Sequence, residues 1–296
     1  MSKKDFFIPN NFGGLPLKYS NHEGSRVLII PISYERTVSY RKGTRKGPRA
    51  IIEASKNLEL YDEELKEEIY KIGIHTLNEI KPLCDDPKEM IEKVFEIISP
   101  EVKVGRLVIT LGGEHSITIA SVKAHREKFK NLSVLQLDAH ADLRDSYCGT
   151  KYSHASVIRR ILDFTPVTQV GIRSLSKEEA DFVKKRKRVV FFAKDIFKNK
   201  TFFEEIMSSL SEEVYLTIDL DVLDPSIMPS VGTPEPGGFQ WYDILNFLHT
   251  LSQRKKIVGF DVVELAPISG NVSPDFLAAR LIYKLIGYIF KGNYIN

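Results

Sequence analysis

The sequence predicts an α/β fold: a mostly parallel sheet with helices covering both faces. Two observations carry this. Eight short runs rich in β-branched and apolar residues recur along the 296 residues, alternating with stretches that bear helix signals. The runs are apolar nearly throughout instead of alternating with polar residues, as strands buried on both faces are.

Taken in order, the runs are RVLIIPI from Arg26, IYKIGI from Ile69, RLVITLGG from Arg106 and LSVLQLD from Leu132, then VTQVGIR from Val167, RVVFF from Arg188, EVYLTIDLD from Glu213 and KIVGFDVVEL from Lys256. Among the helical stretches, GPRAIIEAS places Pro48 in a first turn, and DDPKEMIEKVFEII offers Asp85 or Asp86 as a cap before Pro87. Six more follow the same logic: SITIASVKAHREKF, HASVIRRIL, SKEEADFVKKR, TFFEEIMSSL, YDILNFLHTLSQ and SPDFLAARLIYKLIGYIF. No linker, low-complexity tract or repeat interrupts them. Residues 1–296 are therefore expected to form a single domain, with 1–25 as an extended or loop-like arm.

Composition narrows the function. A net charge of +3 gives no reason to expect a nucleic-acid partner. No apolar run approaches the ~18 residues of a membrane span, and the start MSKKDFFIPNN lacks the apolar core of a signal peptide, so no membrane partner is expected. The two cysteines, Cys84 and Cys148, match no metal-binding spacing and suit a reducing, cytoplasmic location. The basic run Lys184 to Arg188 reads as a solvated helix end, and RKGTRKGPRA from Arg41 as a structured turn into a helix, because it lacks the phosphate-loop pattern.

Chemistry concentrates at strand ends, where open α/β sheets form their sites. VITLGGEHS ends in Glu114 and His115, VLQLDAHAD in Asp138, His140 and Asp142, and YLTIDLDVLDP in Asp219 and Asp221. If the strand continues through residues 138–142, alternate side chains share one face and these groups crowd together. Singly, each reads as a cap or a loop hydrogen-bonder. Four carboxylates and two imidazoles converging without cations would be hostile, since unpaired buried charge costs several kcal/mol per ion. A metal site resolves the conflict. Four Asp and no Cys are too many and too hard for one structural zinc, and favour two Mn²⁺, with Fe²⁺, Co²⁺ or Zn²⁺ as substitutes. Paired ions about 3.5–4 Å apart lower the pKa of bound water to about 7, which implies hydrolysis. The four aspartates balance two divalent ions. A hydroxide together with Glu264, from DVVELAP at the last strand end, leaves about −2 and favours a cationic substrate such as a planar guanidinium.

The motifs GGEHS, DAHAD, SHAS, DLDVLDP, GTPEPGG and DVVELAP, in this order and spacing, resemble those of the arginase/agmatinase (ureohydrolase) family, from about residue 26 to 290; YRKGTRKGPRAIIEAS resembles the segment preceding them in agmatinases. The resemblance implies a three-layer α/β/α fold with an eight-stranded sheet and two Mn²⁺ per subunit. One ion would be held by His115, Asp138, Asp142 and Asp219, the other by Asp138, His140, Asp219 and Asp221. It further implies that a bridging hydroxide attacks the guanidinium carbon, that Asp142 orients it and takes its proton, that His154 relays a proton to the leaving amine, and that Glu264 grips the guanidinium. A homo-oligomer, trimer or hexamer, is implied in the same way.

Substrate choice falls to the loop LRDSYCGTKYSHAS, which lacks the Ser-Gly-Asn pattern with which arginases hold an α-carboxylate. Agmatine, cleaved to putrescine and urea, is the first expectation. Arginine, guanidinobutyrate, formimidoylglutamate and aminopropylagmatine are the alternatives. Arg144 and Lys151 would suit a substrate carboxylate, whereas Asp145 or Glu235 would suit a distal ammonium. Two rival readings compete: an inactive binding module, disfavoured by a complete ligand set, and a single-zinc deacetylase, which would carry fewer carboxylate ligands.

Overall fold

The computed structural model describes residues 9–82, 84–186, 189–196 and 202–292. Each of the eight apolar runs contributes a strand: β1 (Val27–Ile32), β2 (Ile74–Thr76), β3 (Leu107–Gly112), β4 (Leu132–Leu137), β5 (Val167–Ile172), β6 (Val189–Phe192), β7 (Glu213–Asp219) and β8 (Lys256–Val263). All pair in parallel, in the spatial order β2-β1-β3-β8-β7-β4-β5-β6. The eight helical stretches become α1 (Gly47–Ser55), α2 (Pro87–Ile98), α3 (Thr118–Lys128), α4 (Val157–Ile161), α5 (Lys177–Arg186), α6 (Phe202–Ser209), α7 (Trp241–Arg254) and α8 (Ser273–Gly292). Asp86 caps α2, its side chain accepting from the Glu89 N–H.

Strand alternation builds two cores. Leu135 and Leu137 of β4 and Val214, Leu216 and Ile218 of β7 turn to one face, against α1, α6, α7 and α8. Leu132, Val134 and Tyr215 turn to the other, against α2, α3 and α4, with Phe182 and Val183 of α5 partly buried beside them. The result is the expected three-layer sandwich. At about 25 cal/mol per Å² of apolar surface, both faces contribute to stability.

Two expectations need revision. The run from Ile69 is mostly not strand: Ile69–Ile72 forms a 3-10 turn that ends at Gly73, whose φ of 85° and approach to Ser25 (a Cβ would meet its Cα at 2.8 Å) demand glycine. Residues 9–25 are no extended arm. They form short helical turns at Phe12–Gly14 and Leu17–Ser20, with Phe12 and Leu15 buried in the core; residues 1–8 lie outside the described residues. The basic run ends α5 with exposed Lys184, Lys185 and Arg186, while Lys187 and Arg188 also lie outside the described residues. The turn before α1 behaves as expected, organised by Glu35, whose carboxylate accepts from Gly43 N, Arg45 N and Thr44 Oγ1. Among the described residues no helix is long and apolar enough to cross a membrane.

Candidate metal centre

Strand order does what sequence order conceals: β3, β8, β7 and β4 are consecutive neighbours at the centre of the sheet. Their carboxyl ends deliver His115, Glu264, Asp219 with Asp221, and Asp138 with His140 and Asp142. Behind β3 the chain passes so close to the end of β1 that a Cβ on Gly113 would stand 2.0 Å from the Tyr34 carbonyl oxygen. Only glycine permits the approach that carries His115 into the site.

Asp138, His140 and Asp142 converge by a different device from the one their spacing suggests. β4 stops at Leu137, and residues 138–142 leave the sheet except for one bridge from His140 to Ser174. Asp142 adopts a left-handed backbone (φ 52°), as does Glu264 (φ 66°). Such conformations cost non-glycine residues about 1–3 kcal/mol and cluster at functional sites.

His115 is the hub. Its Nδ1 is buried without a hydrogen bond, yet carboxylate oxygens of Asp142, Asp138 and Asp219 surround it at 3.0, 3.2 and 3.5 Å. Its Nε2 lies 2.9 Å from Thr217 Oγ1, and that hydroxyl donates to Asp261 at 2.6 Å. Having given its only hydrogen to Asp261, Thr217 must accept from Nε2–H, so Nδ1 carries the lone pair that a metal ligand requires. Asp261 is held in turn by Tyr215 OH at 2.8 Å.

A second group forms around His140, whose Nδ1 sits 2.8 Å from Asp221 and 3.7 Å from Asp138. Two constellations have the mutual spacing of metal ligands: His115, Asp138 and Asp219, and Asp138, His140 and Asp221. Asp138 stands in both. Asp219 stands only in the first, and one of its oxygens accepts from the Asp221 N–H at 2.9 Å; Asp142 adjoins the first through His115. Gln136 anchors Asp138 at 2.6 Å and is itself anchored by Gln169.

Without a cation these groups strain against one another. Burial, then the Asp221 and Asp142 charges, push the Asp138 carboxyl up to about 7. Burial and the same crowding hold Asp219 well above its ordinary range, and burial does likewise for Glu264. Burial opposes charge on the histidines as well, but neighbouring aspartates outweigh it: His115 is held well above its usual value and His140 at about 10. Burial also works against charge on Asp221, yet His140 outweighs it and holds the carboxyl at about 2. Divalent ions would draw protons off this set and satisfy it, so the donor set and the orphaned Nδ1 fit a metal pair.

A cavity of about 280 Å³ opens over these groups, lined also by His154, Glu264, Arg144, Tyr147 and Tyr40. Glu264 accepts from the His115 N–H at 2.6 Å. Of the four loop residues left open by sequence, Arg144 reaches the cavity and lies over the Tyr147 ring, 5.1 Å from its centre. Asp145 turns away to Arg160 at 2.7 Å, and Lys151 is exposed outside the lining. Glu235 stands 3.8 Å from His140 Nε2. Sequence reasoning missed Arg173, which donates to the carbonyls of Gly171, Asp221, Val222, Leu223, Glu235 and Pro236 and so pins the loop carrying Asp221.

The arginase family model matches residues 25–287, nearly the whole chain. The chain belongs to the arginase family. Among arginase-family relatives, it is 41% identical to an N(1)-aminopropylagmatine ureohydrolase of Synechocystis sp., over 95% of this chain and 96% of that protein. It is 36% identical to an agmatinase of Pyrococcus horikoshii, over 88% of this chain and 90% of that one. The solved structure of agmatine ureohydrolase from Thermoplasma volcanium superposes with a TM-score of 0.85 at 33% identity, covering 97% of both chains. Membership and these relatives make the protein a metal-dependent C–N hydrolase, a ureohydrolase acting on guanidino compounds.

Proposed function

We propose that the protein cleaves the guanidino group of N(1)-aminopropylagmatine, releasing urea and the aminopropyl derivative of putrescine, with two Mn²⁺ as its ions. The observation that carries the chemistry is Asp138's membership of both ligand groups, which suits a pair of ions held close together by shared carboxylates. The substrate reading is supported by the 41% relative of that name. His115, Asp138, Asp142 and Asp219 would hold one ion, and Asp138, His140, Asp219 and Asp221 the other. When bound, the pair lowers the pKa of water and makes a nucleophile available at neutral pH.

The chain's own groups do the rest. Glu264, buried at the cavity wall, receives the planar guanidinium through paired hydrogen bonds. Asp142 aligns the attacking oxygen and accepts its proton; His154 hands a proton to the amine nitrogen as the C–N bond breaks. Crowded carboxylates facing the cavity favour a cationic substrate over a zwitterion.

Agmatine is the second reading. It was the expectation from the loop LRDSYCGTKYSHAS, and the Pyrococcus relative named agmatinase favours it. Both readings are tested by urea release from Mn²⁺-loaded protein given aminopropylagmatine, agmatine, arginine or guanidinobutyrate, and by formamide release from formimidoylglutamate. The expected result is a kcat/KM for aminopropylagmatine at least about tenfold above agmatine, roughly 1.4 kcal/mol of discrimination. The reverse order selects agmatine, and urea from arginine alone would contradict both.

A further inference from the structure

Glu114 adjoins His115 but enters neither ligand group, and its carboxylate is fully buried. Four donors converge on it. The N–H groups of Arg36 and Thr37 reach Oε2 at 2.5 and 2.6 Å, while the hydroxyls of Thr37 and Ser116 reach Oε1 at 2.8 and 2.6 Å. Such a setting suits an acceptor-only carboxylate. Thr37 has one hydroxyl hydrogen, and giving it to Glu114 leaves its oxygen with lone pairs only. Two groups of His154 reach that oxygen, the backbone N–H and the ring Nδ1, each at 3.0 Å.

We infer that Thr37 and Glu114 are positioning residues that lock His154 in its Nδ1–H tautomer, leaving Nε2 as the nitrogen that meets the cavity. The opposite arrangement, with the Thr37 hydroxyl pointed at Nδ1, would leave two bare oxygens facing each other at 2.8 Å with no hydrogen between them. Residues 37, 114 and 154 lie on three separate connections, so the lock also ties His154 to the segment that follows β1, the partner strand of β3.

The inference rests on the reading of His154 as the proton relay, and it says how the relay works. Neutral His154 presents a lone pair at Nε2, takes a proton there from solvent in the cavity and surrenders it to the amine nitrogen as the C–N bond breaks, which returns the ring to neutral. Nδ1–H stays on Thr37 in both states, so no proton has to leave by the far side of the ring. With the hydrogen on Nε2 instead, the neutral ring would show the cavity a donor and could accept nothing.

Thr37→Val removes the hydroxyl with little change of shape, and Thr37→Ser keeps it. In Mn²⁺-loaded protein we expect Thr37→Val to lower kcat by about 10- to 100-fold while KM moves less than about threefold and both ions are retained. Thr37→Ser should stay within about threefold of the parent. A second readout does not depend on turnover: ¹⁵N spectra of histidine-labelled, Zn²⁺-loaded protein, with the His154 signals identified by their loss in His154→Gln. The parent should show Nδ1 protonated and Nε2 bare, and Thr37→Val should move His154 toward the other tautomer. An Nε2–H signal in the parent, or unchanged kcat in Thr37→Val, overturns the inference. Should the parent release no urea from any guanidino compound, the functional reading fails, and the spectrum alone decides the tautomer. Should Thr37→Val not fold, the parent spectrum and Thr37→Ser decide it.

Discussion

Replacing Thr217 with valine removes one hydroxyl beneath the metal centre and keeps the side chain's shape. In the parent that hydroxyl accepts from His115 Nε2–H at 2.9 Å and donates to Asp261 at 2.6 Å, all in fully buried surroundings. Valine therefore strands one donor and one acceptor. At about 1–3 kcal/mol for each buried group left unpaired, stability should fall by roughly 2–6 kcal/mol. The larger consequence is for binding: the His115 tautomer is no longer pinned, and removing such support behind a ligand typically weakens metal affinity about 10- to 100-fold. Calorimetric titration of Mn²⁺ into metal-free parent, Thr217→Val and Thr217→Ser measures this, with serine expected to match the parent. Valine binding Mn²⁺ with parental affinity would refute the reasoning, because Nδ1 would then be a ligand without help from the Thr217–Asp261 pair.

Two further perturbations test other parts of the fold. His125 is fully buried, its Nδ1–H donating to Ser121 O and its Nε2 without a partner, and burial depresses its pKa to about 4. A lowered pKa means that the unfolded chain takes up the proton first as pH falls. The neutral ring's contribution is thus present above about 6.5 and lost on the way down toward 4; between pH 7 and pH 5 it amounts to roughly 2 kcal/mol. Urea unfolding at both pH values should show His125→Phe shedding that share of the acid sensitivity, whatever its absolute stability, and an identical pH dependence would contradict the assignment. Arg173→Met removes the guanidinium's hydrogen bonds to six carbonyl oxygens, so the loop bearing Asp221 should loosen. Metal analysis should then find the His140 side of the pair weakened before the His115 side, and uniform retention of both ions would count against it.

Much of this architecture is legible in the sequence. Seven of the eight runs become strands within a residue or two of their expected starts, because a strand buried on both faces must be apolar throughout. The edge run from Ile69 misleads for the same reason: Ile69, Ile72 and Ile74 look like a strand, but Gly73 breaks it. The spacing of Asp138, His140 and Asp142 suggests one strand face, whereas a left-handed bend at Asp142 brings them together, and no pattern of period two encodes a bend. Strand order is the main thing hidden, since nothing local says that β8 lies between β3 and β7 and so puts Glu264 beside His115. The supporting residues did leave a trace. Gln136, Gln169, Thr217 and Asp261 are polar positions inside otherwise apolar runs, and a buried polar side chain implies a partner. Thr37 and Arg173 leave none, because each acts through a contact with residues far along the chain.

The most direct test is a count of metal ions in parent and Asp138→Asn protein after loading with Mn²⁺ and removal of excess. The parent should hold two per chain and release urea. Asp138→Asn, which removes the carboxylate common to both ligand groups, should lose the pair and the activity together. A variant that keeps two ions and full turnover would contradict the site.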